Sequence, residues 1–205
     1  MLEKQVGEQE KIETLPVKKE GRFLGSLGSF FLEIIKLAIL SGITIGLVRY
    51  FLFKPFYVKG QSMEPNFYEK DYLIIDELSY RFREPKRGEV VVFKAPNGND
   101  FYLKRVIGLP GERVKIENEK VIVYNEANPQ GLLLNEFYLE DQTKGIIMQT
   151  LGADEYFLLG DNRDASYDSR RFGPINISSI VGRAWLRGWP PTRIGAFSTP
   201  SYDIK

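Results

Sequence analysis

The chain has 205 residues, of which 43% are hydrophobic and 27% are charged. This length and composition are typical of one globular domain with an appendage or of two small domains, and they exclude a disordered chain and a polytopic membrane protein. Lys and Arg number 28 against 27 Asp and Glu, which gives a net charge of +1. Bulk charge therefore does not indicate binding to nucleic acid.

Histidine and cysteine are both absent from the sequence. These two residue types supply the commonest general base, the commonest transition-metal ligands and the thiol nucleophile. Their absence excludes a Ser-His-Asp triad, zinc sites built on His and Cys, and disulfide frameworks. We therefore expect no metal and no cofactor, and an enzyme with this sequence would take its base from Lys, Asp, Glu, Tyr or a chain terminus.

The amino-terminal quarter divides into a polar and an apolar segment. Residues 1–28 contain five acidic and five basic residues, which predicts a solvated tail. Residues 29–53 are apolar and long enough to cross a hydrocarbon core of about 30 Å, with Lys36 and Arg49 placed to reach its two surfaces. We predict a retained, single-pass transmembrane anchor over residues 29–53.

Two alternatives to the anchor remain open at this stage. A buried or interfacial helix is one of them, because the uncharged centre, residues 37–48, is only twelve residues long. A cleaved signal peptide is disfavoured, because a polar tail precedes the apolar run and Phe53-Lys54-Pro55-Phe56 follows it. Positive charges on both sides give a slight preference for a cytoplasmic amino terminus, with the rest of the chain on the exported side.

The pattern after the anchor changes to alternation with a period of two, rich in β-branched and aromatic residues. It predicts a mostly β, antiparallel fold. Residues 109–112 are typical of a turn, residues 117–120 of a tight hairpin, and residues 125–151 of a less regular stretch. The predicted strands are residues 56–58, 72–76, 89–94, 101–107, 114–117, 120–124, 155–159 and 180–186.

Ser62 lies between a short predicted strand and the turn that contains Pro65. A serine in a turn is usually a capping hydroxyl, and a hydroxyl is a weak nucleophile unless a neighbouring base removes its proton. Without histidine, the most suitable base is a lysine whose pKa is lowered by burial. Lys104 shares a predicted strand face with Tyr102 and Val106, so it is the best candidate for a buried lysine. The alternative is a lysine on a solvated strand face.

A third segment, residues 160–173, combines turn-forming and charged residues directly after an apolar strand. Its acidic residues do not have the spacing of a calcium-binding loop. Paired charges and hydroxyls in a loop of this kind are suited to orienting a neighbouring lysine.

Together these segments resemble those of the bacterial type I signal peptidases, which are membrane-anchored Ser/Lys leader peptidases. The resemblance covers the anchor and nearly all of the following chain, in the family order. The segments that carry it are Gly60-x-Ser62-Met63-x-Pro65, Arg87-Gly88-Glu89-Val90-Val91-Val92-Phe93, Lys104-Arg105-Val106-Ile107-Gly108-Leu109-Pro110-Gly111 and Gly160-Asp161-Asn162-Arg163-Asp164-x-Ser166-x-Asp168-Ser169-Arg170.

The resemblance implies a role for each candidate site residue. Ser62 would be the nucleophile, Lys104 the general base, and Ser166 the hydroxyl that holds the lysine amine. The same comparison implies supporting ion pairs between Asp168 and Arg170 and between Asp161 and Arg105.

Gly60 is a departure from some members of the family. They have at this position a serine whose hydroxyl donates to the oxyanion. In this chain the oxyanion would be held by the Ser62 backbone N–H and one further donor.

The resemblance also implies a domain organisation and a set of partners. Residues 54–112 and 152–192 would form the β catalytic core, residues 113–151 a smaller inserted β lobe, and residues 193–205 a carboxy-terminal tail. The substrates would be signal-peptide-bearing precursors cut after small residues. Besides these, we expect membrane lipid as a partner, no nucleic acid and no obligate oligomer.

Two other functions remain as alternatives. One is a self-cleaving repressor, a class of protein whose Ser/Lys catalytic core is similar. Such repressors usually carry an amino-terminal DNA-binding domain where this chain has an apolar segment. A membrane-tethered β module that binds a partner would need no activated serine. A β-lactamase type of site is excluded, because no serine in the chain is followed by lysine three residues later.

Overall fold

The computed structural model describes the backbone of residues 21–51, 53–96 and 98–202, and the side chains within residues 28–47, 55–96 and 98–202. Most of the predicted polar tail, residues 1–20, lies outside the described residues, as do residues 203–205 and the Arg49 side chain. The chain divides into two compact units, one ending at Ile45 and the other beginning at Gly46, and each is described by itself.

A single long helix, α1, runs over Gly21–Phe51. Within it, Gly28–Leu47 is long and apolar enough to cross a membrane, with a mean hydropathy of 2.0. All residues from 28 to 47 are exposed, whereas a core helix of a soluble protein would be mostly buried. This exposure favours a membrane span over the buried helix that the sequence left open.

The bounds of this helix differ from the predicted anchor at both ends. The helix begins at Gly21, so the last residues of the predicted tail are helical, because an established helix adds residues at little cost. It ends at Phe51, and Phe53 already belongs to a strand. Pro55 explains the second difference, since proline disfavours helical backbone both at its own position and at the residue before it.

Twelve strands lie in the described part of the second unit. Their bounds are β1 Phe53–Tyr57, β2 Tyr72–Asp76, β3 Val90–Lys94, β4 Phe101–Gly108, β5 Arg113–Glu117, β6 Lys120–Tyr124, β7 Leu132–Leu133, β8 Ile147–Thr150, β9 Glu155–Leu159, β10 Ile175–Asn176, β11 Ile180–Trp189 and β12 Gly195–Ala196. A four-residue helix, α2, covers Ser169–Phe172, and 3₁₀ turns lie at Ser79–Arg81, Ile177–Ser179 and Pro191–Arg193.

The strands form two sheets in which every described pair is antiparallel. The larger sheet has the order β1-β2-β11-β3-β4-β9-β10, with β12 pairing with β11. The smaller sheet has the order β7-β6-β5-β8. The mostly β fold predicted from the sequence is confirmed.

The centre of the larger sheet is buried on both faces. Val90 and Val92 of β3 belong to one apolar cluster with Met63, and the alternating residues Val91 and Phe93 belong to another. Successive side chains of a strand point to opposite faces, so a continuous apolar run is what a strand covered on both sides requires. The strand next to it, β4, is buried from Leu103 to Gly108, and it carries Lys104.

The structure differs from the sequence prediction in two regions. All eight predicted strands are present, three with the predicted bounds and five with shifted ends, but the stretch predicted to be less regular also contains β7 and β8. The predicted tail from residue 193 is packed as far as it is described, because Gly195 pairs with Arg187 and the Phe197 ring lies 4.4 Å from that of Phe67. The short strands β7, β8 and β12 form because they pair with strands from other segments of the sequence. Local sequence patterns carry no information about such pairing.

Candidate active site

Ser62 lies in the tight turn between β1 and β2. Met63 and Phe67 bury their side chains under this turn, and the Phe67 N–H donates to the Met63 carbonyl at 2.9 Å. The turn begins at Gly60, whose φ of 79° favours glycine. The Ser62 carbonyl accepts a hydrogen bond from the Asn162 N–H at 3.1 Å. The backbone of the candidate nucleophile is thus held by the apolar packing of its own turn and by a hydrogen bond from the loop that contains Asn162.

Lys104 lies on β4 and is only 4% exposed. Its Nζ is 2.7 Å from Ser62 Oγ and donates to the Leu103 carbonyl at 3.0 Å. Burial lowers the pKa of Lys104 from its ordinary 10.5 to about 8, although the Asp168 and Asp161 carboxylates act in the opposite direction. The predicted nucleophile and base are therefore in hydrogen-bonding contact, and the lysine is neutral over an accessible pH range.

The carboxylates near Lys104 are both paired with arginines. Arg105 Nη2 lies 2.6 Å from Asp161 Oδ2, and its Nε donates to Asp161 Oδ1 at 2.8 Å. Arg170 Nε and Nη2 contact the two oxygens of Asp168, each at 2.8 Å. The Asp168 carboxylate also caps α2 by accepting from the Arg170 N–H. The structure thus brings together both pairs that the sequence resemblance implied.

Ser166 is placed differently from the implied role. It is buried, but its Oγ has no hydrogen-bond partner among the described residues. The Lys104 amine contacts the Ser62 hydroxyl and the Leu103 carbonyl instead. The Ser166 hydroxyl lies against Gly160, which in turn lies against the Ser62 carbonyl. Ser166 is therefore next to the site without holding the lysine amine in this structure.

Gly160 lies beside the site, and the sequence reasoning gave it no role. A Cβ there would overlap the Ser62 carbonyl oxygen and the Ser166 side chain. Its N–H donates to Asp168 Oδ2 at 3.1 Å, so the backbone of this residue joins the nucleophile turn to the acidic loop. The available signal was a glycine directly after the buried strand β9 and before Asp161, where close backbone approach is a common reason for glycine.

A groove of about 280 Å³ opens in front of the Ser62–Lys104 pair. Its lining residues come from segments 56–63 and 99–104. On one wall, β1 pairs only with β2 among the described strands. On the other wall, β9 pairs with β4 only from Arg105 onward, so residues 101–104 have one strand neighbour. Two walls with unpaired strand edges suit an extended peptide.

A second cavity, of about 370 Å³, does not include the Ser62–Lys104 pair. It is lined by Arg105, Arg183, Arg187 and Arg193, all of which form ion pairs with buried carboxylates. No group of Asp and Glu in the described ranges has an arrangement that would hold a metal ion. The groove beside Ser62 is the better candidate for chemistry.

A family model described as signal peptidase, peptidase S26, matches residues 31–189. The chain belongs to this signal peptidase family. It is 39% identical over 157 residues to a probable signal peptidase I-2 of Synechocystis sp., and this match covers 72% of this chain and 68% of the relative. It is 35% identical over 164 residues to a signal peptidase I of Leptolyngbya laminosa, over 75% and 77% of the two chains.

A crystal structure of a signal peptidase I from Enterococcus faecalis matches with a TM-score of 0.43 and 28% identity, over 49% of this chain and 97% of that chain. Family membership is based on the family model and the sequence relatives. It makes the chain a serine peptidase, and it decides against both the repressor type and the binding module.

Proposed function

We propose that this chain is a membrane-anchored serine endopeptidase that removes signal peptides from exported precursors, with Ser62 as the nucleophile and Lys104 as the general base. The observation that carries the assignment of residues is the 2.7 Å contact between Ser62 Oγ and the Nζ of a buried lysine. A nucleophile and its base within hydrogen-bonding reach are what covalent catalysis by a hydroxyl requires.

The proposed reaction begins with neutral Lys104. Its Nζ accepts the proton of the Ser62 hydroxyl while Oγ bonds to the scissile carbonyl carbon, which gives a tetrahedral intermediate. The peptide C–N bond then breaks, the lysine ammonium gives its proton to the leaving amine, and an acyl-enzyme remains. Water, deprotonated by the same amine, hydrolyses the ester and restores Ser62. The Ser62 backbone N–H is one donor to the oxyanion.

The supporting ion pairs help to keep the pKa of this base low. Two carboxylates beside a lysine would raise its pKa strongly and hold it charged. Arg105 and Arg170 neutralise Asp161 and Asp168 by two-pronged contacts, so burial remains the dominant effect on the Lys104 pKa. We propose that this balance is the role of both pairs.

The substrate and its delivery are part of the same proposal. A precursor binds as an extended strand in the groove, with small residues before the cut. The exposed apolar helix α1 holds the enzyme at the membrane, where precursors are delivered, and so raises their effective concentration. We assign the amino terminus to the cytoplasm and the catalytic unit to the exported side.

We also propose the division into a catalytic core of residues 54–112 and 152–192 and an inserted lobe of residues 113–151. Support comes from the smaller sheet, since all four of its strands lie within residues 113–150. Val114, Ile116, Val121 and Val123 of this sheet pack in one apolar cluster with Ile107, Phe157 and Leu159 of the larger sheet, so the proposed lobe is joined to the core by apolar contacts.

Ser62→Ala tests the proposed function directly. The full chain in detergent is incubated with a signal-bearing precursor, and the products are mapped by mass. The wild type is expected to cut once, and Ser62→Ala should lose at least about a thousandfold in kcat. Ser178→Ala, an exposed serine on a 3₁₀ turn, is the control and should cut at the wild-type rate. Cleavage retained in Ser62→Ala would remove Ser62 from the mechanism.

A further inference from the structure

Two ion pairs join the segment after β7 to the loop that follows β9. Glu136 pairs with Arg163, and the Arg163 side chain is fully buried whereas that of Glu136 is 10% exposed. Lys144 pairs with Asp164, and these side chains are 65% and 50% exposed. The two pairs link the same two segments, but only one of them is shielded from water.

The Arg163 guanidinium is held on three sides. Its Nη2 and Nη1 contact the two oxygens of Glu136 at 2.6 and 2.8 Å, and Nη1 also contacts the Thr143 hydroxyl. Its Nε donates to the Gly160 carbonyl at 2.9 Å. One end of this arginine is therefore fixed by the segment after β7, and the other end fixes the backbone of Gly160.

Gly160 passes this constraint on to the nucleophile. The position of its missing Cβ is bounded by the Ser62 carbonyl oxygen and by the Ser166 side chain. Two residues later, the Asn162 N–H donates to the same Ser62 carbonyl at 3.1 Å. The loop from Gly160 to Arg163 thus forms the support behind the backbone of Ser62.

We infer that Glu136 is a positioning residue: through Arg163 and Gly160 it holds the backbone of Ser62 so that its hydroxyl stays within hydrogen-bonding distance of Lys104. This inference rests on the proposed function. Glu136 does not line the groove, so it acts on the geometry of the reacting groups and not on the binding of the peptide.

The physical reason lies in the charge of Arg163. A guanidinium does not lose its proton in a protein, and a buried charge without its partner is strongly disfavoured. If Glu136 is neutral, Arg163 must turn toward water or toward another carboxylate. Either movement releases the Gly160 carbonyl and loosens the support behind Ser62. Displacements of about 1 Å at a reacting group reduce rates by up to about a hundredfold.

Three variants of the full chain test this inference with the precursor assay. Glu136→Gln keeps the shape and removes the charge, Glu136→Asp keeps the charge and shortens the side chain, and Lys144→Gln removes the exposed pair as a matched control. We expect Glu136→Gln to lower kcat about tenfold or more, with KM within about twofold of wild type. Glu136→Asp should be intermediate, and Lys144→Gln should match the wild type.

Each variant is first checked for folding by near-ultraviolet circular dichroism. A folded Glu136→Gln with the wild-type kcat would overturn the inference, as would an equal loss in Lys144→Gln or a rise in KM alone. If Glu136→Gln does not fold, Glu136→Asp decides: a lower kcat at unchanged KM supports the inference, and an unchanged kcat overturns it. Failure of the wild type to cut the precursor would instead count against the proposed function.

Discussion

Replacing the buried lysine with methionine is expected to abolish cleavage and, at the same time, to make the protein more stable at neutral pH. Lys104 is 4% exposed, and its folded-state pKa of about 8 lies below its ordinary value of 10.5. Folding at pH 7 therefore places a charge in an apolar site. Methionine fills a similar volume without the charge.

The size of the effect follows from the shift in pKa. Each unit corresponds to 1.36 kcal/mol, so the lowered pKa of Lys104 costs about 3 kcal/mol of folding free energy when the amine is charged in both states. The amine also makes two hydrogen bonds, to Ser62 and to the Leu103 carbonyl, and losing both offsets about 2 kcal/mol. Lys104→Met should therefore gain about 1 kcal/mol at pH 7.

The gain has a defined pH dependence. Below pH 8 the lysine is protonated in the folded and unfolded states, so its cost is fully present. Between pH 8 and 10.5 the unfolded chain binds more protons than the folded one, so the stability of the wild type rises with pH. The advantage of Lys104→Met is therefore largest below pH 8 and decreases as the pH rises above it.

Urea unfolding of the full chain in detergent measures this difference. The two tryptophans, Trp185 and Trp189, both lie on β11, so their fluorescence reports on the larger sheet. Lys94→Met, at an exposed position on the neighbouring strand β3, is the control and should change stability by no more than about 0.5 kcal/mol. The reasoning fails if Lys104→Met brings no gain, if the gain does not change between pH 7 and 9.5, or if Lys94→Met gains as much.

The features that sequence predicts correctly are those encoded by local periodicity. The face shared by Tyr102, Lys104 and Val106 follows from alternation along a single strand. In the structure Val106 is fully buried and Lys104 nearly so. The strand predicted over residues 89–94 is also present, as β3, and its apolar run from Val90 to Phe93 is buried on both faces. Such patterns need no knowledge of which segments lie side by side.

The features that sequence misses depend on which segments meet. Residues 195–196 carry no strand pattern, and they become β12 only because β11 offers them an edge. The resemblance places the hydroxyl of Ser166 on the lysine amine, but in the structure this hydroxyl lies against Gly160. Glu136 and Arg163 are separated by 27 positions in the chain, and their spacing contains no signal that they pair. Each of these contacts is fixed by tertiary structure.

The remaining predictions concern the reaction itself. Ser166→Ala should keep the stability of the wild type, because its Oγ has no partner among the described residues, and it should lower kcat, because the family resemblance gives this hydroxyl the role of orienting the lysine amine; an unchanged kcat would remove it from the mechanism. A precursor with alanine one and three residues before the cut should be processed, whereas a precursor with a bulky residue directly before the cut should not be. The products are identified by their mass, and equal processing of both precursors would contradict the proposed specificity. Lys104→Arg should be as inactive as Lys104→Met, because arginine keeps its proton and provides no base. In the wild type, a Lys104 pKa of about 8 makes the neutral fraction rise from about 9% at pH 7 to about 91% at pH 9, so kcat should rise about tenfold through one ionisation. An active Lys104→Arg enzyme, or a rate that rises only near pH 10, would refute the lysine as the general base.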